Sequence, residues 1–248
     1  MRSSAHRHLW LLLATLALTG ALFLPGASLY RWDTLVYSWP LLLETRAQWL
    51  SGHWPFWAGS ICNGTPLLEN INAGVLYPLR ALLWLLPLKV GYALFLALHV
   101  ALALYGMEAL LRRGLGLRGW APLVGALVYA ASGYARGMWD THNFVALPWL
   151  PWGLLALWSA ARPGHIRSAA LGVATVWTLL LLSGDLQAAA LWIPVAALAA
   201  LLHPARRRLL GALALGLLIA LPLSALQWLP AWAAAQESYR AGGLDLHE

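Results

Sequence analysis

Charge is scarce in this chain: only 10% of its 248 residues are Asp, Glu, Lys or Arg, where a soluble domain carries about a quarter. That composition excludes an ordinary water-soluble globule. Cysteine is scarcer still. A single residue, Cys62, excludes an internal disulfide and any cysteine-based metal cluster, and it reads as a small buried residue. What the chain has instead is apolar surface, 61% hydrophobic residues gathered into long blocks with short polar punctuation. This is the pattern of a polytopic helical membrane protein.

The blocks run over residues 9–24, 90–111, 119–134, 144–161, 169–182, 186–202 and 209–229, each near or a little below the roughly 20 residues a spanning helix needs. They predict about seven transmembrane helices in one all-α transmembrane domain covering residues 1–248. The first block, with basic residues before it and Gly26, Ala27 and Ser28 after it, also fits a cleaved signal peptide. An uncleaved helix is favoured because the apolar stretch is long for a signal.

The formal charge of +7 would suggest nucleic acid as a partner if the basic residues formed a patch. They do not. Arg2 and Arg7, then Arg112, Arg113 and Arg118, then Arg162 and Arg167, then Arg206, Arg207 and Arg208 mark alternate ends of the spans. By the positive-inside rule these clusters, and the N-terminus with them, face the cytoplasm. Ten of sixteen basic residues then lie inside, and eight of nine acids lie outside. The basic balance reflects topology, nucleic acid loses its support, and the outer face is where chemistry is expected.

Residues 25–88 form a large first outer loop that holds five tryptophans, Trp32, Trp39, Trp49, Trp54 and Trp57, before its last, more apolar portion, residues of the kind that rest at headgroup level. Pro40 suits the first turn of an interfacial helix running to about Leu50, with Glu44 and Gln48 as an i,i+4 pair. A turn-rich run follows from Ser51 to Pro66. Val75–Leu88 reads as a second interfacial or re-entrant helix. Residues 231–248 are expected to be a hydrophilic outer tail.

Several motifs have plain readings. Gly114-Leu-Gly116-Leu-Arg-Gly119 fits a dinucleotide fingerprint but has no preceding strand. Asn63-Gly64-Thr65 fits a glycosylation acceptor, a triplet common by chance. His99 reads as a packing histidine, and Arg206–Arg208 as a topology anchor with room for anionic lipid. The hairpin apex Ser183-Gly184-Asp185-Leu186-Gln187 joins two short arms, so it sits below the outer surface, where an acid is costly enough to suggest a role. Asp33, Asp140 and Asp185 are three outer acids that could converge on one cavity. For Asp33, an ordinary helix-start or turn acid is the alternative.

The run Asp33…Tyr37…Pro40, then Gly52-His53-Trp54-Pro55-Phe56-Trp57, then Gly64-Thr65-Pro66-Leu67, then Gly74-Val75-Leu76-Tyr77-Pro78 resembles the first outer loop of the bacterial YfhO-like membrane proteins. Leu147-Pro148-Trp149-Leu150-Pro151 and Ser183-Gly184-Asp185-Leu186-Gln187 are similar to later parts of that family. The resemblance implies a GT-C-like fold and a glycosyltransferase that takes its sugar from a polyprenyl-phosphate carrier in the cell envelope. It makes Asp33 the catalytic general base, which accepts the acceptor hydroxyl proton in an inverting displacement. The residues expected to bind substrate are Arg31, Tyr37, Trp57, Glu69, Tyr77, Arg136, Asp140, His142, Asp185, Gln187 and Arg240, with Arg31, Arg136 and Arg240 as the cations for the departing phosphate. A divalent Mg or Mn is the one cofactor left open. The expected partners are the polyprenyl-phosphate-linked sugar, membrane lipids, a glycan, lipid or protein acceptor and a second chain completing the protein, in the bacterial plasma membrane. A transporter or flippase, and a non-catalytic scaffold or fragment, are the competing classes; spans nearly free of charge argue against the transporter.

Overall fold

A computed structural model describes residues 4–26, 34–139 and 142–238. The fold is all-α. Twelve helices lie among the described residues: α1 Ser4–Thr19, α2 Trp39–Leu50, α3 Ala81–Leu85, α4 Leu88–Ala109, α5 Ala121–Ala130, α6 Gly133–Gly137, α7 His142–Ala146, α8 Trp149–Ser159, α9 Ile166–Leu182, α10 Leu186–Leu201, α11 Arg206–Leu223 and α12 Ala225–Glu237. The only strands described, β1 Trp57–Ala58 and β2 Thr65–Pro66, pair antiparallel as a small clip in the loop.

Helices α1, α4, α5, α8, α9, α10 and α11 form the bundle, and their connections sort to two ends. At one end Arg7 and Arg112 both meet Glu108, Trp10 packs edge-on against Trp120, Arg208 donates to the Ala161 carbonyl and Trp158 packs on His203. At the other end the loop of residues 34–87 gathers the remaining connections. Lys89 donates to Leu24 O, Trp149 to the Tyr77 hydroxyl and Gln227 to Leu68 O.

Close approach holds the larger half of the bundle together. On α11, Ala212, Gly216 and Ala220 stand four residues apart, all buried, and face Ala170, Val173 and Ala174 of α9. A Cβ at Gly216 would lie 2.6 Å from Val173 Cγ1 and 2.8 Å from the Ala170 carbonyl. Small residues on facing helices bring backbones near enough for dispersion contacts along their length. A second buried cluster joins α1, α4 and α5 with the loop through Leu11, Phe95, Leu96, Leu104, Ala126 and Tyr77.

Several expected elements are shorter or broken. Leu88–Gly114 is the one helix among the described residues long and apolar enough to cross a membrane alone, at 27 residues. Phe144–Ser159, Ile166–Leu182 and Leu186–Leu201 are apolar but shorter. The expected span 144–161 is interrupted near Pro148, and 119–134 contracts to α5. The expected span 209–229 ends at Leu223, where the chain bends by 78° into α12. Pro222 lacks an N–H, and the Ser224 hydroxyl donates to Ala220 O at 2.8 Å while Trp228 Nε1 donates to Leu221 O, so the last carbonyls of α11 are bonded without helix continuation. Helix α12 therefore occupies part of what reads in sequence as an outer tail.

Two loop expectations also change. Val75–Leu88 is not one helix but a tight turn at Pro78–Arg80 followed by α3, which abuts α4 where Gly91 meets the Leu82 carbonyl. Cys62 is exposed, not buried. It sits at the tip of the β1–β2 turn with φ of +50°, beside Asn63 at +62°.

Candidate functional site

The loop is seated on the bundle by residues 70–77. The Asn70 side chain caps the turn Ile71–Ala73 by accepting from Asn72 N at 3.1 Å. Tyr37 donates to Asn70 Oδ1 at 3.2 Å and accepts from Asn72 Nδ2 at 3.2 Å. Beneath them lies the α9–α10 apex. A Cβ on Gly184 would come within 3.0 Å of Ile71 O and 3.2 Å of Asn72 O, and its φ of +102° is closed to other residues. Tyr37, Tyr77 and the apex carrying Asp185 are thus brought together through one short segment.

Tyr77 is fully buried in a closed polar chain. The Phe95 carbonyl can only accept, so His99 Nδ1 donates to it at 2.6 Å; Nε2 is then an acceptor, met by the Tyr77 hydroxyl at 2.8 Å. Trp149 Nε1 donates to that same hydroxyl at 2.8 Å. Desolvation pushes the Tyr77 phenol above its ordinary range, with the Trp149 hydrogen bond opposing. Tyr77 is a strut between loop, α4 and α8, not a contact surface for a ligand. His99 has both ring nitrogens partnered, as a packing histidine should.

Asp185 is 4% exposed and accepts from Ala188 N at 2.9 Å, the N-cap of α10. It also forms one edge of a cavity of about 610 Å³, bounded by Met107 of α4 and Leu110 just after it, Tyr129 of α5, Tyr134 of α6 and Met138 just after it, Leu150 and Leu154 of α8, and Gln187, Ala188, Leu191 and Val195 of α10. The cavity is apolar along its length and polar at the Asp185–Gln187 end. From Asp185 to Val195 the wall extends about 15 Å. Tyr134, Leu191 and Val195 are each more than half exposed, so the cavity opens sideways between α6 and α10 as a groove.

The other expected residues are scattered. Arg136 is exposed in α6, its guanidinium 5.4 Å from the Trp139 ring centre. Glu69 is exposed on the loop. Trp57 is more than half exposed with its indole lying over Gly64, where a Cβ would approach to 2.6 Å. Its carbonyl accepts from Gln48, which also bonds Glu44 in the expected i,i+4 pair. Asp33, Arg31, Asp140 and Arg240 lie outside the described residues, as does the side chain of His142. Among the described residues no three His, Cys, Asp or Glu side chains are grouped to hold a metal ion.

Sequence reasoning passed over Arg80. Its side chain is buried at 8% exposure against Gly74. Only its place between Tyr77-Pro78 and an apolar run could have pointed to it. Compared with known protein families, curated proteins and solved structures, the chain matches none.

Proposed function

We propose that the chain is a multi-pass protein of the bacterial plasma membrane that transfers a sugar from a polyprenyl-phosphate carrier to an acceptor at the extracytoplasmic face, in the manner of GT-C glycosyltransferases, with Asp33 as general base. The observation that carries this reading is the groove: a long apolar slot, open to the side, with its polar end at Asp185 and Gln187. That shape suits an amphiphile whose chain enters laterally and whose head stays at one end.

The surroundings favour a lipid medium. Leu191, Val195 and Leu198, with Leu202 just past its end, form an exposed stripe down α10, and Leu9, Leu12, Leu13 and Leu16 another on α1. Surfaces of that kind are aggregation-prone in water and ordinary in a bilayer. The sorting of arginine-rich connections to one bundle end and the aromatic loop to the other fits the positive-inside arrangement. Where the sugar is handed over no nucleotide sugar is at hand, so a lipid-borne donor is the consistent choice.

The test is transfer of radiolabelled sugar from a panel of polyprenyl-phosphate sugars by membranes carrying the chain. Transfer from at least one donor is expected, and none from any donor sinks the reading. Ala188→Phe fills the polar end of the groove and keeps the backbone N–H that Asp185 caps. It is expected to cut transfer on the order of 10²-fold by displacing the bound head, with the protein at normal abundance.

A further inference from the structure

We propose that Arg80 is the cation of a binding site for a phosphate ester at the loop end of the bundle. The starting observation is an imbalance of charge. The Arg80 side chain is buried, its Nε is sealed from solvent, and none of its nitrogens hydrogen-bonds a described residue. The described carboxylates are placed elsewhere: Glu108 meets Arg7 and Arg112, Glu44 bonds Ser60 and Gln48, Asp185 caps α10, and Glu69 and Glu237 are exposed. A guanidinium enclosed with no counter-charge among the described residues carries a heavy desolvation penalty, and proteins keep such groups where an anion offsets it.

The enclosure is built around the guanidinium. Gly74 adopts φ of +54°, and a Cβ there would lie 2.8 Å from Arg80 Nε and Nη2 and 2.9 Å from Cζ. The absence of a side chain at 74 is what lets the planar head lie flat against the turn. Tyr77, Tyr92 and His99 are its titratable neighbours, all neutral at neutral pH. Desolvation draws the guanidinium down to about 10, with the two phenols opposing, so Arg80 remains a cation at neutral pH. Since Nε alone is sealed, Nη1 and Nη2 are the end a ligand meets. Two parallel N–H donors on one fork match two oxygens of a phosphate.

The position ties this site to the polar end of the groove. Gly74 follows the Ile71–Ala73 turn, which packs on Gly184, the residue before Asp185. The phosphate could come from a lipid carrier, which rests on the glycosyltransferase reading, or be free.

Arg80→Met separates a binding arginine from a structural one, using the full chain in nanodiscs. The midpoint of thermal unfolding is followed with polyprenyl phosphate, inorganic phosphate or phosphatidylglycerol added. The native chain is expected to be stabilised by polyprenyl phosphate at saturation. Stabilisation by inorganic phosphate as well assigns the site to the phosphate group alone, and by phosphatidylglycerol to lipid phosphates in general. Arg80→Met is expected to lose that response and, with no ligand, to unfold at a higher temperature than native, because an uncompensated buried charge is gone. Arg80→Lys should bind at least tenfold more weakly than native, a point charge replacing the fork, and Arg162→Gln at the opposite end should bind normally. The proposal is overturned if no phosphate compound stabilises the native chain, if Arg80→Met responds as native does, or if Arg80→Met unfolds at a lower temperature without ligand. Phosphate binding with no sugar transfer would remove the enzyme reading and leave this site; sugar transfer by the native chain with no stabilisation by any phosphate compound would do the reverse.

Discussion

Asp33→Asn is expected to lower sugar transfer by about 10²–10⁴-fold, the range that a positioned general base contributes. Asparagine has the size of aspartate and caps helices as well, so abundance and membrane insertion should stay native. What it cannot do is take the proton from an acceptor hydroxyl. Four residues on in sequence, Tyr37 is bonded to Asn70 and Asn72, which anchors the segment that leads into α2. The comparison to make is initial transfer rate at matched protein level, with Glu237→Gln as a control acid exposed on α12. Equal rates for native and Asp33→Asn would take Asp33 out of the reaction, and an equal loss with Glu237→Gln would show that the effect is not specific.

Gly216→Leu is expected to have the largest effect on the fold. Even a methyl group there meets Val173 at 2.6 and 2.7 Å and the Ala170 carbonyl at 2.8 Å. Val173 can rotate away, but a carbonyl of α9 cannot move without the helix. Overpacking costs about 1–3 kcal/mol where side chains can adjust and more where backbone must shift, so Gly216→Leu should lie at or above the top of that range and Gly216→Ala within it. Gly59→Ala, where an added Cβ meets nothing within 4 Å, should be close to neutral. Thermal unfolding in detergent would order the three. If Gly216→Leu unfolded at the native temperature, α9 and α11 would not be packed as described.

Much of the bundle was legible because exposed and buried helix surfaces here are both apolar, so each run of apolar residues marks a helix. The same property hid where helices stop. Leu226, Trp228 and Leu229 continue the hydropathy of α11, and hydropathy carries no direction, so the bend after Leu223 left no trace in composition. Its cause is local hydrogen bonding by Ser224 and Trp228 and the missing N–H of Pro222. Helix α2 was readable because Pro40 and the Glu44–Gln48 pair are local signals. Asp185 as a helix cap could have been read from its place before Leu186. Arg80 had only its place before an apolar run to point to it, since its burial depends on Gly74, Tyr77 and Tyr92 meeting in space. Cys62 was misread because type-based burial tendencies ignore a turn tip.

The Gln227–Leu68 hydrogen bond joins residues 159 positions apart, and Gln227 is wholly buried where it makes that bond. During synthesis the first loop leaves the ribosome long before α12 does. Until that last helix arrives, the Leu68 carbonyl lacks its partner and the Ile71–Ala73 turn lacks the helix that covers it. The loop that carries the proposed chemistry is therefore among the first parts made and among the last to be locked, and a nascent chain stopped at Leu223 would have every bundle helix in place with that loop still unlatched.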